Sequence, residues 1–133
     1  MKIEMELKVG LENSVAQVVT EDDTAVAVGS GSLKVLATPK LIALIEKAAA
    51  ELVEKNLSPE LTSVGTSVNF EHTAPTPVGM KITAEVEILE IAGRKIIFEV
   101  AATDEVGEIG HGKHERFIVN REKFQTKADS KNS

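Results

Sequence analysis

Residues 2 to 9 alternate strictly, with Ile3, Met5, Leu7 and Val9 on one side and Lys2, Glu4, Glu6 and Lys8 on the other. A period of two places one row against a core and the other in water, so the segment predicts a half-buried strand. Residues 15–19 and 24–28 are rich in Val and Ala around the turn-forming Glu21-Asp22-Asp23 and predict a short hairpin. Gly29-Ser30-Gly31-Ser32 then interrupts the pattern, over a length that suits a loop inside a domain rather than a linker.

The period changes after Ala37. Thr38-Pro39 gives a helix start, with Thr38 as N-cap and Pro39 at the first helical position. The helix runs to about Lys55, where Asn56 and Ser58-Pro59 stop it. On a wheel of about 100° per residue, Leu41, Leu44, Ile45, Ala48, Ala49 and Leu52 form one broad apolar face, with Ile42 and Val53 at a margin. Four strand-like segments follow at 61–72, 80–91, 94–104 and 108–120, with short separators that suit an antiparallel meander. One long helix and five or six antiparallel strands bury the helix's apolar face only if the sheet wraps around it, an α+β arrangement. Such a sheet leaves an edge strand and part of the helix thinly covered, which favours pairing with a second copy.

The length of 133 residues fits one domain, read here as residues 1–122 followed by a polar, fraying tail at 123–133. With no cysteine the chain has no thiol nucleophile, disulfide or thiolate metal site. A formal charge of −6 and 3% aromatic residues argue against a duplex nucleic-acid surface and against base stacking. No apolar run reaches the roughly 18 residues of a membrane span, and no signal-peptide block follows Met1-Lys2, so a cytoplasmic location is expected.

Three side chains stand out for chemistry: Thr38, Glu46 and His72. Thr38 reads as a plain helix cap or as a hydroxyl at a site. Glu46 sits about 20° beyond Val53 on the wheel, at the border of the buried face. It reads either as a boundary glutamate paired with a lysine or as a partly desolvated base or nucleophile. His72 ends the alternation Val64, Thr66, Val68, Phe70 and so points with them, just before the rigid corner Thr73 to Gly79. It is a satisfied inward histidine or a site residue framed by that corner. Gly65, placed on the opposite face of the same strand, marks a bulge or a close approach by a ligand. His111 and His114, three apart on a strand, point to opposite faces, and no carboxylate pattern completes a metal site with them. The stretch at Gly29 to Ser32 lacks the Walker lysine spacing and any dinucleotide fingerprint.

The run Val35-Leu36-Ala37-Thr38-Pro39 through Leu44-Ile45-Glu46-Lys47-Ala48-Ala49, then Gly65-Thr66-Ser67-Val68 and His72-Thr73-Ala74-Pro75-Thr76-Pro77-Val78-Gly79, resembles the fluoroacetyl-CoA-thioesterase-like family. The likeness continues through Glu87 to Phe98, with Gly93-Arg94-Lys95, into His114-Glu115-Arg116-Phe117. It implies a hot-dog fold, a homodimer with active sites at the subunit interface, and hydrolysis of an acyl-CoA thioester. It also implies Thr38, Glu46 and His72 as the catalytic set, with Gly65 beside the thioester; no metal or cofactor is expected. Glu46 and His72 would act as nucleophile or general base, and Thr38 would position or activate its partner. Fluoroacetyl specificity does not follow, because the Gly- and Ser-rich stretch before Val35 offers no aromatic lid. Arg94, Lys95, Lys113 and Arg116 are the cations on offer for the CoA phosphates. Rival readings are a non-catalytic acyl-CoA or metabolite-binding module, a dehydratase or hydratase, for which no Asp-and-His pair shares a loop, and a purely structural dimerisation domain.

Overall fold

A computed structural model describes residues 7–132. Most of the alternating segment at 2–9 therefore lies outside the described residues, and its last part, Leu7 to Val9, is irregular chain entering a turn. Among the described residues the first strand is β1, Glu12–Val18. The expected hairpin with 24–28 is absent. Glu21–Asp23 forms a 3-10 turn in which the Thr20 backbone N–H donates to Asp23 Oδ2 at 2.8 Å. The Thr24 hydroxyl then accepts from Ala27 N–H and caps a single helical turn, α1, Ala25–Val28, which Gly29 ends at a φ of 88°. Two caps and a left-handed glycine thus outweigh the strand preference of Val and Ala. The backbone N–H groups of Ala25 and Val26 donate to the carbonyls of Val35 and Leu33, so this turn closes on the stretch after the glycines.

The long helix α2 spans Thr38–Glu54, close to expectation. Its N-cap is Ala37 rather than Thr38, which moves Thr38 into the first turn and frees its hydroxyl from capping. Leu41, Leu44, Ile45, Ala48, Ala49, Leu52 and Val53 are buried, so Val53 belongs to the face and not to its margin. Truncating one of these leucines to alanine would cost about 2–5 kcal/mol.

The sheet contains β2 Leu61–His72, β3 Lys81–Ala92, β4 Lys95–Thr103 and β5 Glu108–Asn120, in the order β1-β3-β4-β5-β2. All pairings are antiparallel. The expected meander holds for β3-β4-β5 only. The strand β2 lies beside β5 at the far edge, so the corner after His72 carries the chain across to β3. Ile82, Ala84, Val86 and Ile88 of β3, with Ile96, Phe98, Val100 and Ala102 of β4, turn inward at a period of two and bury against α2. Among the described residues a five-stranded sheet wraps on one helix, the α+β architecture anticipated, with β1 and β2 as the sheet's two edges.

The chain after β5 is helical in part. Arg121–Asp129 forms α3, whose first turn is capped by the Asn120 carboxamide oxygen accepting from Lys123 N–H at 2.9 Å. None of its residues is buried. Among the described residues no helix is long and apolar enough to cross a membrane.

Candidate active site

Two groups of polar side chains form where α2 meets β2. In the first, Thr38 Oγ1 lies 2.8 Å from His72 Nδ1. Both ends of this contact are held by backbone. Val35 bridges to Pro77, and Leu36 N–H donates to Thr76 O at 2.9 Å, which fixes the approach to Thr38. Beyond His72, Thr73 N–H donates to Ile109 O at 2.8 Å. The fully buried Thr76 hydroxyl donates to Asp104 Oδ2 at 2.8 Å, so the corner is pinned to the β4–β5 turn. A cleft of about 270 Å³ opens beside the pair and is lined in part by Ala25, Ser30, Val35 and Ala74.

Burial holds the His72 imidazole below its ordinary range, against a smaller opposing pull from the Ala74 backbone. The ring is therefore neutral near pH 7 and able to take up a proton. Its other nitrogen, Nε2, is buried and has no hydrogen-bond partner among the described residues.

The second group surrounds Glu46, whose side chain is 43% exposed. The expected lysine partner is in fact Arg116, with Nη1 at 3.8 Å from Glu46 Oε2. Strand β2 shifts register between Gly65 and Ser67, leaving Thr66 as the extra residue. That bulge overturns the face assignment made from alternation alone. Gly65 pairs with Arg116 and Val68 with His114, both partners buried, so Gly65 faces inward with Val68, Phe70 and His72. Val64, paired with the partly exposed Phe117, faces outward. The bulge reading of Gly65 therefore holds, and the space left by its missing side chain is taken up by side chains of the same chain. A Cβ at Gly65 would overlap Glu46 Oε2 and come within 3.2 Å of Arg116 Nη1 and His114 Cε1.

Arg116 was a candidate for CoA phosphates, but it is only 6% exposed and committed inside the fold. Lys95 is drawn to Glu115 at 3.8 Å, whereas Arg94 and Lys113 are exposed. His111 lies on the outer face, with Nδ1 2.8 Å from Glu108 and Nε2 3.5 Å from Glu71, while His114 is fully buried on the inner one. Sequence reasoning offered Arg116 to the CoA phosphates and weighed His114 for a metal, but placed neither beside Glu46. The local signal available was a histidine and an arginine two apart on an inward row, where a charged residue needs a partner.

On one chain the two groups stay apart. Thr38 and Glu46 are eight residues apart on α2, about 12 Å along the axis and about 80° around it. Gly65, which touches Glu46, is seven residues from His72 on β2, roughly 20 Å of strand.

A family described as fluoroacetyl-CoA-specific thioesterase matches residues 19–122. The fluoroacetyl-CoA thioesterase of Streptantibioticus cattleyicolor is 38% identical over 98 residues, 74% of this chain and 70% of its own length. The chain belongs to the fluoroacetyl-CoA-specific thioesterase family. Among solved structures, a threonine-to-serine mutant of the family's fluoroacetyl-CoA thioesterase, in complex with acetyl-CoA, aligns with a TM-score of 0.90 at 32% identity, covering 96% of this chain and 100% of its own. A hot-dog-like protein from Thermanaerovibrio acidaminovorans aligns with a TM-score of 0.85 at 20% identity over 94% of this chain and 93% of that one. The wrapped helix and sheet are thus the hot-dog fold.

Proposed function

We propose that the chain hydrolyses an acyl-CoA thioester to the free acid and CoA, with Thr38, Glu46 and His72 as its working side chains. The observation that carries this reading is the Thr38–His72 hydrogen bond beside a cleft, in a member of a thioesterase family. Water supplies the oxygen that bonds to the acyl carbon, the C–S bond breaks, and CoA leaves as its thiol. Glu46 and the neutral His72 carry the proton transfers, and Thr38 holds the His72 ring. The Gly65 backbone lies beside the thioester. Since a thioester is already an activated acyl group, proton transfer and carbonyl polarisation suffice. The cleft residues Ala25, Ser30 and Val35 include no aromatic side chain, which supports an ordinary acyl group over a fluorinated one.

A proton-transferring group must come within about 3 Å of the atom it serves. The separation of Glu46 from the Thr38–His72 pair on one chain therefore favours a site shared by two copies, in which Glu46 of one faces Thr38 and His72 of the other. Strand β2, which carries both Gly65 and His72 and lies at an edge of the sheet among the described residues, supports such a pairing.

The test is thiol release from acyl-CoAs of increasing chain length by wild type, Glu46→Ala, His72→Ala, and the two variants unfolded and refolded together. Mixed dimers would carry one intact site of two, so the refolded mixture should regain about a quarter of wild-type turnover when subunits pair at random. A mixture as inactive as its components would refute the shared site, and wild-type protein that releases no thiol from any member would leave a binding module.

A further inference from the structure

The buried polar side chains on β5 have no part in the proposed chemistry, yet they converge on one of its members. His114 is fully buried and stacked on Phe98 with ring centroids 5.9 Å apart. Its Nδ1 lies 2.9 Å from the Ser67 carbonyl oxygen. A carbonyl only accepts, so Nδ1 carries the proton and donates. In a neutral ring Nε2 is then an acceptor. Arg116 Nη1 stands 3.2 Å from that Nε2 and donates to it. Arg116 is gripped on its other side by Ser63, with Nε donating to the hydroxyl at 2.8 Å and Nη2 to the carbonyl at 3.1 Å. Three of its five N–H groups are thus spent on fixed acceptors. Nη1 retains one more, on the side where Glu46 Oε2 lies 3.8 Å away.

The position that a Gly65 Cβ would fill is where Glu46 Oε2, Arg116 Nη1 and His114 Cε1 meet. The glutamate carboxylate therefore rests in the notch left by a missing side chain, against a cation that cannot turn. We infer that Arg116, clamped by Ser63 and His114, is a positioning residue that fixes the Glu46 carboxylate over Gly65 for thioester hydrolysis. Arginine suits this task because its planar fork can meet three acceptors and still present an N–H, which a lysine cannot do. Burial adds to the effect, since a cation in a poorly solvated place holds a carboxylate more firmly than one in water.

The inference rests on Glu46 having the role given above, and the experiment separates the two. His114→Leu removes the acceptor for Nη1, whereas His114→Gln supplies a carboxamide oxygen for Arg116 and an N–H for Ser67. The leucine variant should lower kcat by about 100-fold, the scale of a catalytic group misplaced by an ångström, with KM little changed. The glutamine variant should recover at least about 10-fold of that loss. In a Glu46→Ala background the leucine change should cost nothing further, because there is no carboxylate left to place. Thermal unfolding of each variant checks the fold. Should His114→Leu not fold, Arg116→Lys, which keeps the charge and loses the fork, takes its place in the same cycle.

Equal turnover in the leucine and glutamine variants, or an additive loss in the Glu46→Ala background, would overturn the positioning role while Glu46 remains essential. Wild-type turnover in Glu46→Ala itself would instead remove the catalytic reading and the positioning role with it.

Discussion

The Thr38–His72 corner and the Glu46–Gly65 cluster lie on the same helix and strand, yet they are assembled differently. The corner is made by segments that carry their own instructions: a Thr-Pro helix start and a strand ending in a proline-braced turn. Its two side chains meet as soon as α2 and β2 are adjacent. The cluster depends on a bulge that brings Gly65 to the inner face and on a guanidinium delivered by β5, whose contacts with Ser63 span 53 positions of sequence. A site built by local signals is readable from a motif. One built by register is readable only after the strands are paired.

If both regions serve one reaction, removing either should be equally severe. Glu46→Ala and His72→Ala are each expected to reduce thioester hydrolysis by at least ~100-fold with the fold retained by circular dichroism. A large loss in only one of them would break the comparison and leave the other region structural. Gly65→Ala comes next. Its methyl group overlaps the Glu46 carboxylate and presses on the clamped Arg116 and His114, so Glu46 is displaced at a cost of about 1–3 kcal/mol in stability. Turnover should nevertheless fall by about 10- to 100-fold as the carboxylate leaves its place. Parallel assays of chemical unfolding and thiol release check both halves of that statement. Thr38→Val removes one hydrogen bond and little volume. A loss of about 1 kcal/mol corresponds to roughly a fivefold drop in kcat, a milder effect on the corner than Gly65→Ala has on the cluster.

The same division explains what could be read from the sequence. The α+β class, the central helix with its apolar face and the four later strands were all legible, because each has a long periodic pattern and clear stops. Thr38 and His72 were legible as candidates from the punctuation around them, although the cap at Ala37 was misjudged by one residue. The failures share one cause, which is competition that periodicity does not encode. Caps from Thr20 and Thr24 turned a Val/Ala stretch into a 3-10 turn and a helical turn. A single extra residue at Thr66 exchanged the faces of Gly65 and Val64. Arg116 read as a surface cation for phosphates until its pairing with Gly65 placed it inside. The place of β2 beside β5 was hidden because antiparallel neighbours need not be consecutive.

The smallest expected effect tests whether the two regions also differ in how they respond to acid. Burial is the first cause that holds His72 and His114 below their ordinary value of 6.5. In each the folded-state pKa is lower than the unfolded one, so between the two the unfolded chain binds more protons and stability rises with pH. The contribution is fully present above about 6.5 and is lost as the pH falls toward the folded-state value. Carboxylates act lower down. Arg121 is the main cause holding Glu54 below its ordinary 4.5, and the Val106 N–H is the main cause holding Asp104 below 3.8, so their contributions persist until the pH falls beneath those values. Unfolding midpoints measured from pH 8 to pH 4.5 should therefore decline gently below 6.5. His114→Gln should flatten that decline more than His72→Gln, because His114 is fully buried and His72 only half so. A decline unchanged in both variants would move the acid sensitivity to the carboxylates and remove the histidines from the account.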